Sequence, residues 1–205
     1  METVKRLSHI EHVLLRPSVY VGSVDVTEEL RWIRVGSKFS QERVWYPPAL
    51  LKIFDEILVN ALDRNTLFPM DVKMIAVSID NIGCISVENT GPLGGIAVEM
   101  NSGENMWNPE LTFGHLLTST NYNDDIARYV GGQNGYGAKL ANIFSSKFAV
   151  VIKDSINKKV YTQSWSDNMH KCEPPIIKKY VGATSSVCIS FTPDWGRFNM
   201  GGIDA

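Results

Sequence analysis

The stretch PPALLKIFDEILVNALD, from Pro47 to Asp63, decides how this sequence is read. Proline suits the first turn of a helix, where its missing N–H leaves no bond unmade. A helix is therefore expected from about Ala49 to Asp63. Leu51, Phe54, Leu58 and Ala61/Leu62 recur at helical spacing and predict one apolar face. At ~100° per residue, Glu56, Asn60 and Asp63 fall on the opposite side. Glu56 and Asn60 are four apart, so both project from the same side of the helix. A carboxylate can take a proton from water, and an amide oxygen is a hard ligand suited to Mg²⁺. The pair fits a base beside a metal ligand, and it fits equally the solvated face of an amphipathic helix.

Working outward, the segment before this helix holds HIEHVLL, a short helix that stops at Arg16-Pro17 because proline disfavours helix at the residue before it. Tyr20-Val21-Gly22-Ser23 reads as a turn, and residues 1–25 read as an N-terminal arm on a domain of residues 26–205. After the helix, Met74–Ile79 and Ile85–Val87 flank the turn Asp80-Asn81-Ile82-Gly83 and predict a hairpin. A glycine-rich loop, TGPLGGI, follows, then short helices at Leu111–Leu117 and Ala138–Phe144. Phe148–Ile152, Val160–Trp165 and Val187–Phe191 alternate as strands. The order argues an α+β fold, a largely antiparallel sheet with helices on one face.

Three further segments carry possible chemistry. Gly131-Gly132-Gln133-Asn134-Gly135-Tyr136-Gly137-Ala138-Lys139 runs into a helix, so its amides can turn toward an anion with the helix N-terminus behind them. It is not a Walker A loop, because Ala138 stands where the lysine is needed and Leu140 follows Lys139. It also suits a flexible glycine loop that caps a helix. The hydroxyls and amide of Ser119, Thr120 and Asn121 can bond ribose or phosphate oxygens, or simply form a capping turn. Asn89-Thr90-Gly91-Pro92 is a glycine turn after a strand. His9, His12, His115 and His170 lack a second His or Cys at metal spacing, and the aromatic residues, including Trp165 and Phe191, read as core.

The chain has 205 residues, 44% of them apolar, with Lys plus Arg 20, Asp plus Glu 22 and a net charge of −2. That length suits one globular domain, and that charge excludes a simple polycationic nucleic-acid binder. Lys158-Lys159 and Lys178-Lys179 read as solvated surface. No run reaches the ~18 apolar residues of a membrane span. Cys84, Cys172 and Cys188 lack CxxC spacing and read as reduced thiols of an intracellular protein.

The acidic/Asn helix, the glycine turn after a strand and the GxxGxG loop, in that order, resemble the Bergerat (GHKL) ATPases, whose fold is a two-layer sandwich: a mixed, mostly antiparallel sheet with helices on one face. KIFDEILVNA, FGHLLTSTNY, GGQNGYGAKLANIF and the final FTPD…RF narrow the resemblance to the ATPase region of eukaryotic-type DNA topoisomerase II (type IIA), over about residues 6–200. Hsp90-like and MutL-like ATPases, or an ATP-sensing scaffold module without turnover, are the rival readings. The resemblance implies ATP and Mg²⁺ as ligands, with Glu56 as the catalytic base and Asn60 as the metal-holding amide. It implies that Asp63 shapes the nucleotide site and that Ser119, Thr120 and Asn121 contact ribose and phosphates. It makes Gly132, Gln133, Asn134, Gly135, Tyr136, Gly137, Ala138 and Lys139 the phosphate-cradling lid.

It also implies a homodimer formed on ATP binding, duplex DNA as the partner of the full enzyme, no membrane, and a nuclear location in a eukaryote. The family's transducer and cleavage domains are expected elsewhere, in cis or in trans. The family carries Asp or Asn before its glycine turn, against adenine. Here Thr90 stands there, preceded by Asn89, so either Asn89 takes the role, or Thr90 contacts the base through its hydroxyl, or adenine selectivity weakens. Arg64 replaces an Asn of relatives beside the ribose, and Val4 stands where relatives place a tyrosine that reaches the partner's nucleotide.

Overall fold

The computed structural model describes residues 4–67, 69–93, 95–118 and 135–203. In chain order the elements are α1 (His9–Leu15), β1 (Thr27–Val35), β2 (Lys38–Tyr46), α2 (Pro48–Leu67), β3 (Met74–Ile79), β4 (Ile85–Gly91), β5 (Met100–Asn101), β6 (Met106–Trp107), α3 (Asn108–Gly114), α4 (Gly137–Ile143), β7 (Ser145–Asp154), β8 (Lys159–Ser166), β9 (Lys171–Cys172), β10 (Ile176–Lys179) and β11 (Ser185–Pro193). The main sheet runs β10-β8-β7-β11-β4-β3, with β9 on β8, and each of these pairings is antiparallel.

Register explains the core. Ile85, Phe191, Phe148 and Trp165 lie side by side across β4, β11, β7 and β8. Val87, Ile189, Val150 and Gln163 form the next row, and Asn89, Val187, Ile152 and Tyr161 the third. Successive strand residues point to opposite faces, so these rows share one face. All are buried, and their apolar members join Ile53, Ile57 and Ala61 of α2 and Leu140, Ala141 and Ile143 of α4 in one cluster. The helices therefore cover one face of the sheet, as the α+β reading expected. Phe148 packs edge-on against Trp165 at 5.9 Å between ring centroids.

The sequence reading needs four corrections. First, the buried stripe of α2 is Ala49, Ile53, Ile57 and Ala61, whereas Leu51 and Leu62 are exposed. The small and β-branched residues seat the helix close to the sheet, and the larger leucines lie outside that narrow contact. Second, α3 starts three residues earlier than expected because Pro109 occupies its first turn, and it ends at Gly114. Third, β1 and β2 form a separate hairpin on which Trp32, Phe39 and Trp45 are 68%, 70% and 63% exposed, so these aromatics are not core. Fourth, Lys159 is not solvated surface: its ammonium donates to the Val98 carbonyl at 3.2 Å and lies 5.2 Å from the Trp107 ring centroid.

α1 is closed by a capping box, in which Ser8 Oγ accepts from the Glu11 N–H and the Glu11 carboxylate accepts from the Ser8 N–H. Val13 and Val21 enter the same core as the sheet. Among the described residues no helix is long and apolar enough to cross a membrane.

Candidate functional site

Two rows of side chains run along α2. Ala49, Ile53, Ile57 and Ala61 form the buried row, and Lys52, Glu56, Asn60 and Arg64 form a second row one residue earlier, about 100° round the helix. This second row borders a cleft of about 1170 Å³ between α2, the sheet, the loop after β4 and the start of α4. Glu56 and Asn60 therefore flank the buried stripe rather than oppose it, which sets them at the edge of the core, facing the cavity.

The floor of the cleft is Val87, Asn89, Val187 and Ile189, neighbouring positions on β4 and β11. Strand alternation decides between Asn89 and Thr90. Asn89 shares the buried face with Ile85, Val87 and Gly91, while Thr90 lies on the other face with Ser86 and Glu88. Asn89 lines the cleft and Thr90 does not. Asn89, Thr90 and Gly91 are the end of β4 and not the expected turn, and a Cβ on Gly91 would overlap the Asp71 carbonyl oxygen.

Gly135, Tyr136, Gly137, Ala138 and Lys139 form the wall facing α2. A Cβ on Gly137 would strike the Glu56 carboxylate, so glycine lets α4 begin directly against that group. Glu56 is ion-paired with Lys52 one turn earlier. Lys139 lies in the first turn of α4 and is 3% exposed, with its ammonium donating to the Thr118 carbonyl at 2.9 Å. Burial lowers its pKa from 10.5 to about 8. Arg64 Nη2 donates to Asp71 Oδ2 at 2.9 Å and to the Leu93 carbonyl at 3.1 Å, so the guanidinium ties α2 to the cleft's rim.

Of the expected site residues, Glu56, Asn60, Asn89, Gly135, Tyr136, Gly137, Ala138 and Lys139 share one cleft, while Asp63 does not line it. Ser119, Thr120, Asn121, Gly132, Gln133 and Asn134 lie outside the described residues. Sequence reasoning missed Lys52, Ile96, Ala97, Val187 and Ile189 in the lining. The i, i+4 spacing of Lys52 to Glu56 and Asn60 was a visible signal for the first. The others converge only through sheet register and the course of a loop. Among the described residues no group of three or more His, Cys, Asp or Glu is gathered as a metal site. The amide oxygen of Asn60 suits a Mg²⁺ ion that takes its remaining ligands from water and phosphate.

The chain as a whole is similar to known proteins. The 43K ATPase domain of Thermus thermophilus gyrase B, solved with an aminocoumarin, superposes with a TM-score of 0.68 at 21% identity over 95% of this chain and 42% of that one. This likeness is one of fold alone, the GHKL fold. The ATPase region of Saccharomyces cerevisiae topoisomerase II superposes with a TM-score of 0.94 at 43% identity, over 98% of this chain and 53% of that one. The ATPase and transducer domains of Balamuthia mandrillaris topoisomerase II give 0.90 and 42%, over 95% and 50%. In sequence, DNA topoisomerase 2 of Candida glabrata is 43% identical over 100% of this chain and that of Drosophila melanogaster 44% over 98%. No family model matches the chain. The chain belongs to the eukaryotic-type DNA topoisomerase II family and corresponds to part of its ATPase region. The Hsp90-like and MutL-like readings give way to it. The chain spans 14% of the length of those two relatives.

Proposed function

We propose that this chain binds Mg·ATP in the cleft described above and acts as the ATPase module of a type II topoisomerase. The observation that carries the proposal is the meeting of Glu56 and Asn60 on α2 with Asn89 on the floor and the glycine-rich start of α4 opposite. The base lies against the apolar floor, and the Asn89 amide reads its edge; Thr90 takes no part. The backbone of Gly135 to Lys139 cradles phosphate oxygens, with Ser119, Thr120, Asn121, Gly132, Gln133 and Asn134 completing the lid and ribose contacts. Bound Mg²⁺ supplies charge neutralisation of the phosphates. Asn60 holds the ion through its amide oxygen, and Glu56 accepts a proton from the attacking water. Because Glu56 is engaged by Lys52, that ion pair must loosen before the carboxylate can act as a base. Transfer of a phosphoryl group asks for positioning and charge stabilisation more than covalent chemistry, and the cleft offers both.

In the whole enzyme, nucleotide binding pairs two such modules and closes a gate over a duplex, with residues 1–25 as an arm and 26–205 as the nucleotide-binding domain. Closure follows from tighter nucleotide binding by the closed state. Transducer and cleavage domains, in cis or in trans, complete the cycle, so this chain alone turns over slowly. The test is titration with a non-hydrolysable ATP analogue and Mg²⁺, beside Asn60→Ala and Gly135→Ala. Binding by the wild type that both substitutions weaken is expected; no binding by the wild type overturns the proposal. Glu56→Gln is expected to keep binding and lose the hydrolysis seen with the partner domains.

A further inference from the structure

Among the described residues, the wall of the cleft formed by Gly95, Ile96 and Ala97 makes little backbone bonding of its own. Between residues 92 and 98 the described backbone–backbone bond outside regular elements is Gly95 N–H to Leu93 carbonyl, at 2.8 Å. The loop is held instead from behind, by the turn joining β7 to β8. Asp154, 4% exposed at the end of β7, receives four donors. Its Oδ1 accepts from the N–H groups of Ile156 and Asn157, each at 2.9 Å. Its Oδ2 accepts from the Asn157 side-chain amide and from the Val98 N–H, each at 2.8 Å. Oδ1 thus bonds only the turn's backbone, while Oδ2 is shared between the turn's Asn157 side chain and the loop. Lys159 Nζ donates to the carbonyl of the same Val98, and Ser155 Oγ donates to the Pro92 carbonyl at 3.2 Å. Val98 is fully buried, so its two backbone groups have no access to solvent to replace these bonds.

We propose that Asp154 is a positioning residue of the nucleotide site: through the Val98 amide it fixes the Gly95–Ala97 wall against the base, without itself touching the cleft. This rests on the nucleotide-binding reading. The charge matters because four donors converge on one carboxylate, and charge-assisted bonds of this kind are the stronger class. Burial alone would raise the Asp154 pKa, but the bonds from Val98, Asn157 and Ile156 outweigh it and hold the group below its ordinary value. The ionised form therefore persists at neutral pH.

The two oxygens can be separated by experiment. Asp154→Asn can keep Oδ1 on the turn's backbone while it sets an NH₂ against the Val98 N–H and the Asn157 side-chain amide. In the 205-residue chain we expect ADP affinity to fall about tenfold, with inorganic tripolyphosphate, which lacks a base, binding as before. Hydrogen exchange at Val98 is expected to quicken while the β7 and β8 amides stay protected. Lys159→Met, which keeps an apolar stem near Trp107, is expected to weaken ADP by a smaller factor. ADP affinity unchanged in Asp154→Asn despite fast exchange at Val98 overturns the inference. Equal loss of ADP and tripolyphosphate with loss of core protection shows a structural role only and also overturns it. Failure of the wild type to bind ADP defeats the nucleotide reading itself.

Discussion

β11 and β1 are both nine-residue strands, yet they have opposite fates. Every second residue of β11 is buried and none is exposed; no residue of β1 is buried and most are exposed. The difference lies in what each strand meets. β11 sits between β7 and β4 beneath the helices, while β1 pairs with β2 alone. Alternation in sequence reports burial on one face, not strand formation as such. TEELRWIRV carries Leu30 and Trp32 on one face of its hairpin, but nothing in the described chain covers that face.

The largest expected effect comes from breaking the buried register. Phe148→Ala removes a ring packed against Phe113 and Trp165 and is expected to cost about 4 kcal/mol, read as a lower midpoint in urea at unchanged slope. Gly91→Ala attacks the end of β4, where the new methyl meets the Asp71 carbonyl oxygen. A loss of about 2 kcal/mol is expected by analogy with overpacked cores, and a melt unchanged from wild type would refute the steric argument.

Lys139 gives an effect that depends on pH. Its folded pKa of about 8 lies below the ordinary 10.5, so between those values the unfolded chain holds the proton more often than the folded one. Stability contributed by this group must then rise as pH climbs through that window, and below it the buried charge is a standing cost. Lys139→Met should flatten the slope, read as the difference between the two proteins' denaturation midpoints at several pH values. The smallest effect belongs to the hairpin. Trp32→Ser with Trp45→Ser is expected to move stability by no more than about 0.5 kcal/mol for each substitution, and a large loss in the same urea assay would mean that this face is packed in solution.

Much of the architecture was legible in the sequence. Met74–Ile79, the turn at Gly83 and the start of the helix that carries Glu56 appear where the pattern set them, because each follows from periodicity and local backbone preference. The first hairpin was missed although Gly36-Ser37 between two strand-like runs is a turn signal; Gly36 has φ +63°. At the site, the kinship of Glu56 and Asn60 could be read from their spacing. Which of Asn89 and Thr90 faces the cleft could not be settled until β4 was known to lie in register with β11 and to bury its odd-numbered residues. The floor of Val187 and Ile189 is about a hundred residues from Val87 in sequence, and no local pattern joins them.

The last turn of the chain also reaches back to its first helix. Arg197 donates to the Leu14 carbonyl at 3.2 Å, the Asn199 amide donates to Asp25 at 3.1 Å, and Phe198 between them is fully buried. Two stitches and a rivet join the first 25 residues to the exit of β11. The contact between α1 and the segment after β11 bypasses the sheet, since neither hydrogen bond involves a strand residue. The cleft beside α2 lies next to this junction, with Tyr20 in its lining. The first 25 residues are thus pinned at one end to the exit of β11 and contribute Tyr20 to the cleft at the other.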